Sequence, residues 1–304
     1  MSDIRIFRIQ DGAVNELVGT SVAVEKSLQT LIENNLESLL GVRFLATEYT
    51  TGKTHGGRID TLGLDENGCP VIIEYKRALN ENVINQGLFY LDWLLDHKGE
   101  FELKVLKTLG EEAASVIEWS TPRLLCIAGD FTKYDIHAVQ QINRNIELIR
   151  YRRYGEELLL LELVNATIAQ SDVENAKTKG IKAAGDYKTV SEYLAQADSD
   201  LQDRFEALKA FLIALGDDVQ MKTLKYYFAF KRIKNFACVE IHPQTKHLMV
   251  YVKIDPDTIT LENGFTRDVR NIGHFGTGDL EITISSDADM EKAKSLLVRS
   301  YEVS

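Results

Sequence analysis

A continuously apolar run that ends in charged residues constrains the fold of this chain more than any other feature. Val71-Ile72-Ile73 leads directly into Glu74-Tyr75-Lys76, and the turn sequence Asp65-Glu66-Asn67-Gly68 separates this run from an earlier one, RIDTLGLD. Such an apolar run is typical of a strand that is covered on both faces of a sheet, and Asn-Gly is typical of a turn. The two runs therefore predict an antiparallel hairpin whose second strand is central in a larger sheet.

The register of this hairpin brings two carboxylates together. Residues at equal distances from the turn face each other, which puts Asp60 opposite Glu74, with Cβ atoms about 4.5–5.5 Å apart. Because side chains alternate along a strand, Lys76 shares a face with Glu74, whereas Tyr75 points to the other face. Charged groups at the end of a buried strand need partners or a metal ion.

Two carboxylates beside an ammonium group are suited to phosphodiester hydrolysis. Carboxylate oxygens are ligands that Mg²⁺ prefers. A bound metal ion polarises a phosphate and lowers the pKa of water, while the lysine steadies the nucleophile or the developing charge. The alternative interpretation is that Asp60, Glu74 and Lys76 form a surface ion-pair cluster on an edge hairpin.

A helix predicted over Val24–Leu40 supplies a further acidic group. Its length, measured against the strand predicted over 42–49, puts Glu25 at the height of Asp60 and on the core-facing apolar stripe. A carboxylate there suits a general base or a second metal ligand. A glutamate at a helix N-terminus also stabilises the helix dipole, so both interpretations remain open.

Three other glutamates are weighed against Glu25. Glu33 and Glu37 lie off the apolar stripe of the helix and are expected to be solvated. Glu48 lies on the strand itself, level with Asp60, and is a weaker alternative for the acidic group.

A second helix, predicted from about Asn82 to His97, contributes Gln86 and Tyr90. Residues four apart share one helix face, so Gln86 could bind a carboxylate or a phosphate and Tyr90 could support it. The alternative is a partly buried glutamine beside a core tyrosine.

Four short motifs occur in this order along the chain: Glu25-x2-Leu28, Gly57-Arg-Ile-Asp60, Glu74-Tyr-Lys76 and Gln86-x3-Tyr90. Together they resemble the PD-(D/E)XK nuclease superfamily. Their spacing is similar to that of the C-terminal catalytic domain of archaeal and actinobacterial mismatch and branched-DNA endonucleases, and the last motif resembles RecB-type nucleases. The resemblance covers about residues 20–165, and Ile59-Asp60 stands where the family name has Pro-Asp, which keeps the metal ligand.

The resemblance implies a role for each motif residue. Asp60 and Glu74 would bind Mg²⁺ or Mn²⁺, and Lys76 would position the attacking water. Three further residues would complete or support the site: Glu25, Gln86 and Tyr90. The implied activity is that of a magnesium- or manganese-dependent deoxyribonuclease with an endonuclease-like mechanism.

The order of predicted elements is that of an α/β fold in its first half. A helix, an antiparallel meander, and then alternating helices (around 101–117 and 134–145) and strands (123–129, 146–152 and 157–164) predict a mixed sheet flanked by helices. The resemblance implies the restriction-endonuclease-like form of this fold for residues 1–165.

The second half is predicted to be a separate, smaller domain. Residues 166–189 are small, polar and weakly periodic, which is typical of a linker. Residues 190–304 predict an α+β domain with a helix over 190–215, several strands and a closing helix over 287–299. This region resembles an uncharacterised domain family that is often fused to nuclease-like modules, a likeness that implies no activity.

Composition excludes several classes of protein. The 304 residues carry 35 Lys and Arg against 46 Asp and Glu, a net charge of −11, whereas proteins that coat nucleic acid nonspecifically are basic. No apolar run reaches the roughly 18 residues of a membrane span, and the N-terminal segment has no secretory h-region. The three cysteines, which are isolated in the sequence, fit reduced thiols and predict a cytoplasmic location.

Three other groups of residues are weaker candidates. A basic and aromatic strand could touch a phosphate backbone or form a solvated strand face; it contains Arg150, Tyr151, Arg152, Arg153 and Tyr154. A second segment could be a platform for single strands or core aromatics with lysines at the rim; it contains Lys222, Lys225, Tyr226, Tyr227, Phe228, Phe230, Lys231, Arg232 and Lys234.

The third group is three histidines. His242 and His247 flank a turn and are expected to be hairpin residues rather than metal ligands. His274 lies in a glycine-rich loop without the strand-to-helix setting of a phosphate-binding loop.

The sequence therefore predicts a two-domain protein whose first domain hydrolyses nucleic acid, with DNA as the expected partner and no membrane. The rival hypothesis is a non-catalytic module for nucleic-acid or protein interaction that retains the nuclease fold. A homodimer, and a protein partner bound through residues 190–304, remain open.

Overall fold

The computed structural model describes residues 4–21, 25–52, 56–76, 83–167 and 188–304. The chain divides into two compact units, Met1–Gln170 and Ser171–Ser304. Residues 166–167 of the predicted linker end a strand, residues 188–189 precede a helix, and the rest of the linker lies outside the described residues.

A six-stranded mixed sheet forms the centre of the first unit. The strands β3, β4 and β5 form an antiparallel meander, β5, β6 and β7 run parallel, and β8 returns antiparallel. A separate hairpin, β1 and β2, precedes the sheet. The strands are β1 (Ile6–Gln10), β2 (Ala13–Leu17), β3 (Val42–Thr50), β4 (Arg58–Asp65), β5 (Pro70–Lys76), β6 (Arg123–Ala128), β7 (Asn145–Tyr154) and β8 (Leu158–Thr167).

Helices pack on both faces of this sheet, which confirms the predicted α/β class. Leu28 and Ile32 of the first helix are buried, and that helix contacts β4 and β5. Leu91 and Leu94 of the third helix pack in a core cluster with side chains of β4, β5 and β6. The helices are α1 (Glu25–Asn34), α2 (Leu36–Leu40), α3 (Val83–Asp96), α4 (Lys98–Leu109), α5 (Glu111–Ser115) and α6 (Lys133–Gln140).

The single helix predicted over Val24–Leu40 is wrong in one respect. The chain forms two helices, because Asn35 leaves the helical region with φ −129° and ψ 24°. The apolar spacing continues across this break, so periodicity alone does not reveal it. The predicted end is confirmed, since Gly41 adopts a left-handed φ of 64° as the cap of α2.

The predicted helix around 101–117 is divided for a related reason. Gly110 separates α4 from α5 with φ 91° and ψ 178°, a conformation that favours glycine. The hairpin of β4 and β5, by contrast, has the predicted register, with Thr61 opposite Ile73 and Leu64 opposite Pro70. The side chain of Asp65 accepts hydrogen bonds from the amides of Asn67 and Cys69 in the turn.

The second unit is an antiparallel sheet with helices, which confirms the predicted α+β class. Its strand order is β13-β14-β12-β11-β10-β9, and α8 and α9 contribute Phe205, Leu208 and Leu297 to its core. The elements are α7 (Val190–Gln196), α8 (Ser199–Ile213), β9 (Gln220–Thr223), β10 (Phe228–Lys231), β11 (Asn235–His242), β12 (His247–Val252), β13 (Thr266–Asp268), β14 (Leu280–Ile284) and α9 (Asp287–Glu302).

The helix predicted over 190–215 is also two helices. Ala197 is extended, and the side chain of Asp198 accepts a hydrogen bond from the amide of Leu201 and so caps α8. All three cysteines are buried, and none of them forms a disulfide. Within the ranges that the structure describes, no helix has the length and apolar character needed to cross a membrane.

Candidate metal and catalytic site

Asp60 and Glu74 lie side by side at one end of β4 and β5, as the register predicts. The amide of Asp60 donates a hydrogen bond to Glu74 Oε1 (3.2 Å), and the amide of Tyr75 donates to Asp60 Oδ2 (3.0 Å). Each carboxylate is thus held by the backbone of the opposite strand. The pair is preorganised by the sheet rather than by flexible side chains.

Glu74 is the most perturbed acid of this pair. Its side chain is fully buried, and among the described residues its Oε2 has no hydrogen-bond partner. Burial, and then the charge of Asp60, raise the pKa of Glu74 to about 9. The carboxyl is therefore protonated at neutral pH unless a cation compensates its charge.

This donor set fits a divalent cation. An orphaned, buried carboxylate oxygen beside a second carboxylate is a place where positive charge lowers the free energy. Mg²⁺ is commonly bound by only one or two carboxylates and keeps several waters. Asp60 and Glu74 are the candidate ligands, and the described residues contain no larger group of His, Cys, Asp or Glu side chains that could hold a metal.

Lys76 and Tyr75 point to opposite faces of β5, as predicted. Lys76 is half-buried and lines the same cleft as Asp60, and its charge acts against the rise in the pKa of Glu74. The hydroxyl of Tyr75 lies 3.4 Å from Thr61 Oγ1, under helix α1. An ammonium group therefore stands beside the carboxylate pair on the cleft side.

Gln86 and Tyr90 share a face of α3, as predicted, and they also contact each other. Gln86 Nε2 donates to the Tyr90 hydroxyl (3.3 Å), which accepts a second hydrogen bond from the amide of Arg58 (3.1 Å). Gly57 packs on the tyrosine ring so closely that a Cβ there would lie 2.4 Å from Tyr90 Cε1. The tyrosine thus positions the start of β4, two residues before Asp60.

The predictions for the glutamates of the first two helices have different outcomes. Glu25 is the first residue of α1, and its side chain lies outside what the structure describes, so its role stays a prediction. Glu37 is exposed, as expected. The expectation that Glu33 is solvated is wrong, because Glu33 Oε1 accepts hydrogen bonds from Thr61 Oγ1 (2.6 Å) and Gln29 Nε2 (3.0 Å).

Gln29 is a residue that sequence reasoning missed. It is buried, and its Nε2 also donates to the carbonyl oxygen of Asp60 (2.9 Å). Gln29 and Glu33 are four residues apart, so both face the sheet beside the apolar stripe. This four-residue spacing of two polar side chains next to the apolar stripe was the feature of the sequence that could have identified Gln29.

Glu48, which the sequence offers as a weaker alternative to Glu25, lies beside the candidate metal ligands. Its neighbours in β3 pair with Thr61 and Ile59, which puts Glu48 level with Asp60. Its carboxylate forms ion pairs with Lys26 Nζ (3.0 Å) and Arg58 Nε (2.5 Å). The hydrogen bond from Lys26 lowers the pKa of Glu48, so the group is an anion at neutral pH.

An open cleft of about 710 Å³ gathers these groups. It contains one of the candidate metal ligands, the candidate catalytic lysine and two exposed cations at the rim. The residues that line it are Lys26, Gln29, Glu48, Gly56, Gly57, Arg58, Asp60, Lys76, Gln86 and Tyr90.

Both interpretations of the arginine-rich strand are wrong for Arg150. The side chain is buried and forms ion pairs with Asp130 (3.1 Å) and Glu162 (2.6 Å), so it is neither solvated nor directed at a phosphate. Tyr151 is also buried and donates to the carbonyl oxygen of Ser21. Neighbouring strands and loops supply these acids, which a local pattern cannot show.

The single-strand platform over 222–234 is wrong for three of its aromatic residues, Tyr227, Phe228 and Phe230, which are buried. Phe228 and Phe230 belong to the core of the second unit, as the alternative interpretation expected. The side chains of Lys222 and Lys231 are buried rather than at the rim.

The histidines lie as expected at turns and loops. His242 stacks on His247 with ring centroids 5.0 Å apart and contacts Glu240 Oε2 at 2.9 Å. His274 stacks on Tyr251.

Comparison with known proteins gives relatives without a described activity. The chain is 29% identical over 306 residues to an uncharacterized protein of Haemophilus influenzae, covering 98% of this chain and all of that protein. The solved structure of the EndoMS–dsDNA2 complex is similar over 45% of this chain, with 20% identity and a TM-score of 0.25. The chain spans about half of that structure's chain, 47%.

The second unit matches a family of its own. Residues 190–304 match the family described as "Domain of unknown function (DUF5655)". This finding confirms the prediction that a domain of uncharacterised function occupies the C-terminal part of the chain. Over residues 190–304 the chain is therefore similar to the DUF5655 family.

Proposed function

We propose that the first unit is a metal-dependent phosphodiester hydrolase that acts on nucleic acid, with DNA as substrate and Mg²⁺ or Mn²⁺ as the ion. One observation carries the proposal. A fully buried glutamate, Glu74, leaves one carboxylate oxygen without a hydrogen-bond partner among the described residues, and it lies beside Asp60, which lines an open cleft. A protein gains no stability from such an arrangement, whereas a cation bound there would satisfy it.

The residues around the pair supply what hydrolysis needs. When bound, the metal ion acts as a Lewis acid toward the phosphate and lowers the pKa of water. Lys76 places an ammonium group beside the carboxylates, where it orients the attacking water or stabilises developing negative charge. Tyr90 and Gln29 hold the backbone around Asp60 through hydrogen bonds at 3.1 Å to Arg58 and 2.9 Å to Asp60.

The shape of the cleft agrees with a polymeric substrate. It is open to solvent, and the exposed side chains of Lys26 and Arg58 lie at its rim. Cationic groups beside a metal site attract phosphates even when the whole protein is acidic. A polymer can pass across such a cleft, whereas an enclosed pocket would favour a small molecule.

The second candidate function is a non-catalytic interaction module that retains the fold. The net charge of −11 favours it, and so does a donor set of two carboxylates among the described residues. The two functions differ in one measurable respect, which is turnover in the presence of metal.

The proposal is tested by metal binding and by cleavage in parallel. Mn²⁺ should raise the melting temperature of the wild type, because a ligand at 100 times its dissociation constant stabilises by about 2.7 kcal/mol. Asp60→Asn and Glu74→Gln should lose this shift, and Glu37→Gln, on the exposed surface of α2, is the matched control.

Cleavage is measured on single-stranded, duplex, mismatched and branched DNA, with RNA as a comparison. The wild type should cut at least one DNA form, and Asp60→Asn, Glu74→Gln and Lys76→Met should reduce the rate by at least about 100-fold. Equal rates for the wild type and Asp60→Asn would contradict the proposal. A metal shift without cleavage of any substrate would favour the interaction module.

A further inference from the structure

We infer that Lys26, Glu48 and Arg58 form a phosphate clamp at the rim of the cleft, in which Glu48 holds both cations until a DNA phosphate displaces it. The inference rests on the proposed function, because the phosphate belongs to the substrate of the same cleft. Its residues come from three elements, α1, β3 and β4.

The backbone of Glu48 is the first observation. Among the described residues, three that are not glycine have positive φ: Asp11, Glu48 and Lys246. Asp11 and Lys246 lie in the turns of hairpins, where this conformation is common. Glu48, with φ 50°, lies inside β3. A strained backbone inside a strand persists only where surrounding contacts hold it, and such positions cluster at ligand sites.

The contacts that hold Glu48 are the second observation. Oε1 accepts a hydrogen bond from Lys26 Nζ at 3.0 Å, whereas Oε2 lies 2.5 Å from Arg58 Nε as an ion pair and accepts no hydrogen bond from the described residues. The side chain of Glu48 is 27% exposed, whereas those of Lys26 and Arg58 are 60% and 64% exposed. The cations therefore remain open to solvent on the side away from the carboxylate.

The charge of this group suits a phosphate. Two cations and one carboxylate leave a net charge of one positive unit, and an arginine fork with a lysine is a common way to bind phosphate oxygens. A phosphate oxygen offers the same acceptor chemistry as Glu48, so it can replace the carboxylate without leaving either cation unpaired. Glu48 acts as an internal substitute for the ligand.

Glu48 belongs to the clamp and is not a metal ligand. Both of its oxygens contact cations, and no group of three acidic, histidine or cysteine side chains that could hold a metal occurs in the described part of the chain. It does lie level with Asp60 across β3 and β4. A phosphate in the clamp would thus adjoin the carboxylate pair, as a backbone phosphate next to the scissile one would.

The test measures DNA binding without cleavage. The affinity of a fluorescent DNA duplex is titrated in EDTA over a series of salt concentrations, for the wild type and for Glu48→Gln. Removing the internal anion should tighten binding several-fold at low salt and steepen its salt dependence. Arg58→Gln and Lys26→Gln should weaken binding and reduce the salt slope by about one each.

A matched control and a second variant complete the design. Lys107→Gln removes an exposed lysine of α4 that does not line the cleft, and it should leave the affinity nearly unchanged. Glu48→Asn removes the charge and suits a left-handed backbone, so it replaces Glu48→Gln if that variant does not fold.

Unchanged or weaker binding by the Glu48 variants would overturn the clamp, and so would equal losses in Lys107→Gln and Arg58→Gln. Tighter binding without cleavage of any DNA would keep the clamp and reject the hydrolase. Cleavage by the wild type together with unchanged binding by Glu48→Gln would reject the clamp alone.

Discussion

The two ends of the central strands hold buried charges in opposite ways. At one end, Arg123 of β6 binds Asp65 at 2.8 Å and Glu147 at 2.7 and 2.8 Å. All three side chains are buried and paired. At the other end, Asp60 and Glu74 lie together, and one oxygen of Glu74 has no hydrogen-bond partner among the described residues.

The difference separates a cluster whose charges are satisfied within the protein from one whose charges are not. The arginine satisfies two carboxylates with a bidentate fork, so the first cluster is closed and has a structural role. In the second, burial, and then the charge of Asp60, raise the pKa of Glu74 to about 9. A closed cluster should stabilise the fold, whereas the open one should destabilise it until a cation binds.

The largest effect is expected from a substitution that breaks the closed cluster around Arg123. Arg123→Met would leave two buried carboxylates unpaired and should lower the free energy of unfolding by about 3–5 kcal/mol. Chemical denaturation measures it. Arg153→Met is the control, because its partner Glu156 is 92% exposed, and it should change stability by less than about 0.5 kcal/mol. Equal effects of the two variants would contradict the comparison.

A change of opposite sign is expected at the open cluster. In EDTA at neutral pH, Glu74→Gln should raise the free energy of unfolding by about 1–3 kcal/mol, because a neutral amide avoids the cost of keeping a buried carboxyl protonated. The control Glu37→Gln should have no comparable effect.

The pH dependence of this gain follows from the raised pKa. In the unfolded chain Glu74 ionises above about 4.5, whereas in the folded protein it ionises only near 9. The wild type therefore loses stability as pH rises between these values, and the gain from Glu74→Gln should grow over the same window and vanish below pH 4.5. A gain that does not depend on pH would contradict this origin.

The smallest expected effect concerns Tyr90, which supports the end of the sheet where Asp60 and Glu74 lie. Tyr90→Phe removes the hydroxyl that accepts hydrogen bonds from Arg58 and Gln86 and should cost about 0.5–1.5 kcal/mol. Tyr134→Phe, with a side chain 72% exposed, is the control. If both variants melt at the wild-type temperature, Tyr90 does not position β4.

Local patterns predicted the hairpin well and the polar surroundings poorly. The turn at 65–68 and the apolar run before Glu74 were enough for the register, because strand pairing follows from distance to the turn. The helix breaks at Asn35 and Gly110 escaped prediction, since apolar periodicity continues across them. Glu33 and Arg150 were misplaced because their partners lie on other elements.

By itself, the sequence determined the order of elements and the meeting of Asp60 with Glu74, because both follow from alternation and short-range pairing within one hairpin. Tertiary structure alone decided which charges are satisfied, since that depends on partners far apart in the chain, as between Arg123 and Asp65. It also decided that Glu48 stands between Lys26 and Arg58, because helix α1 and strand β4 meet there only after the sheet has formed.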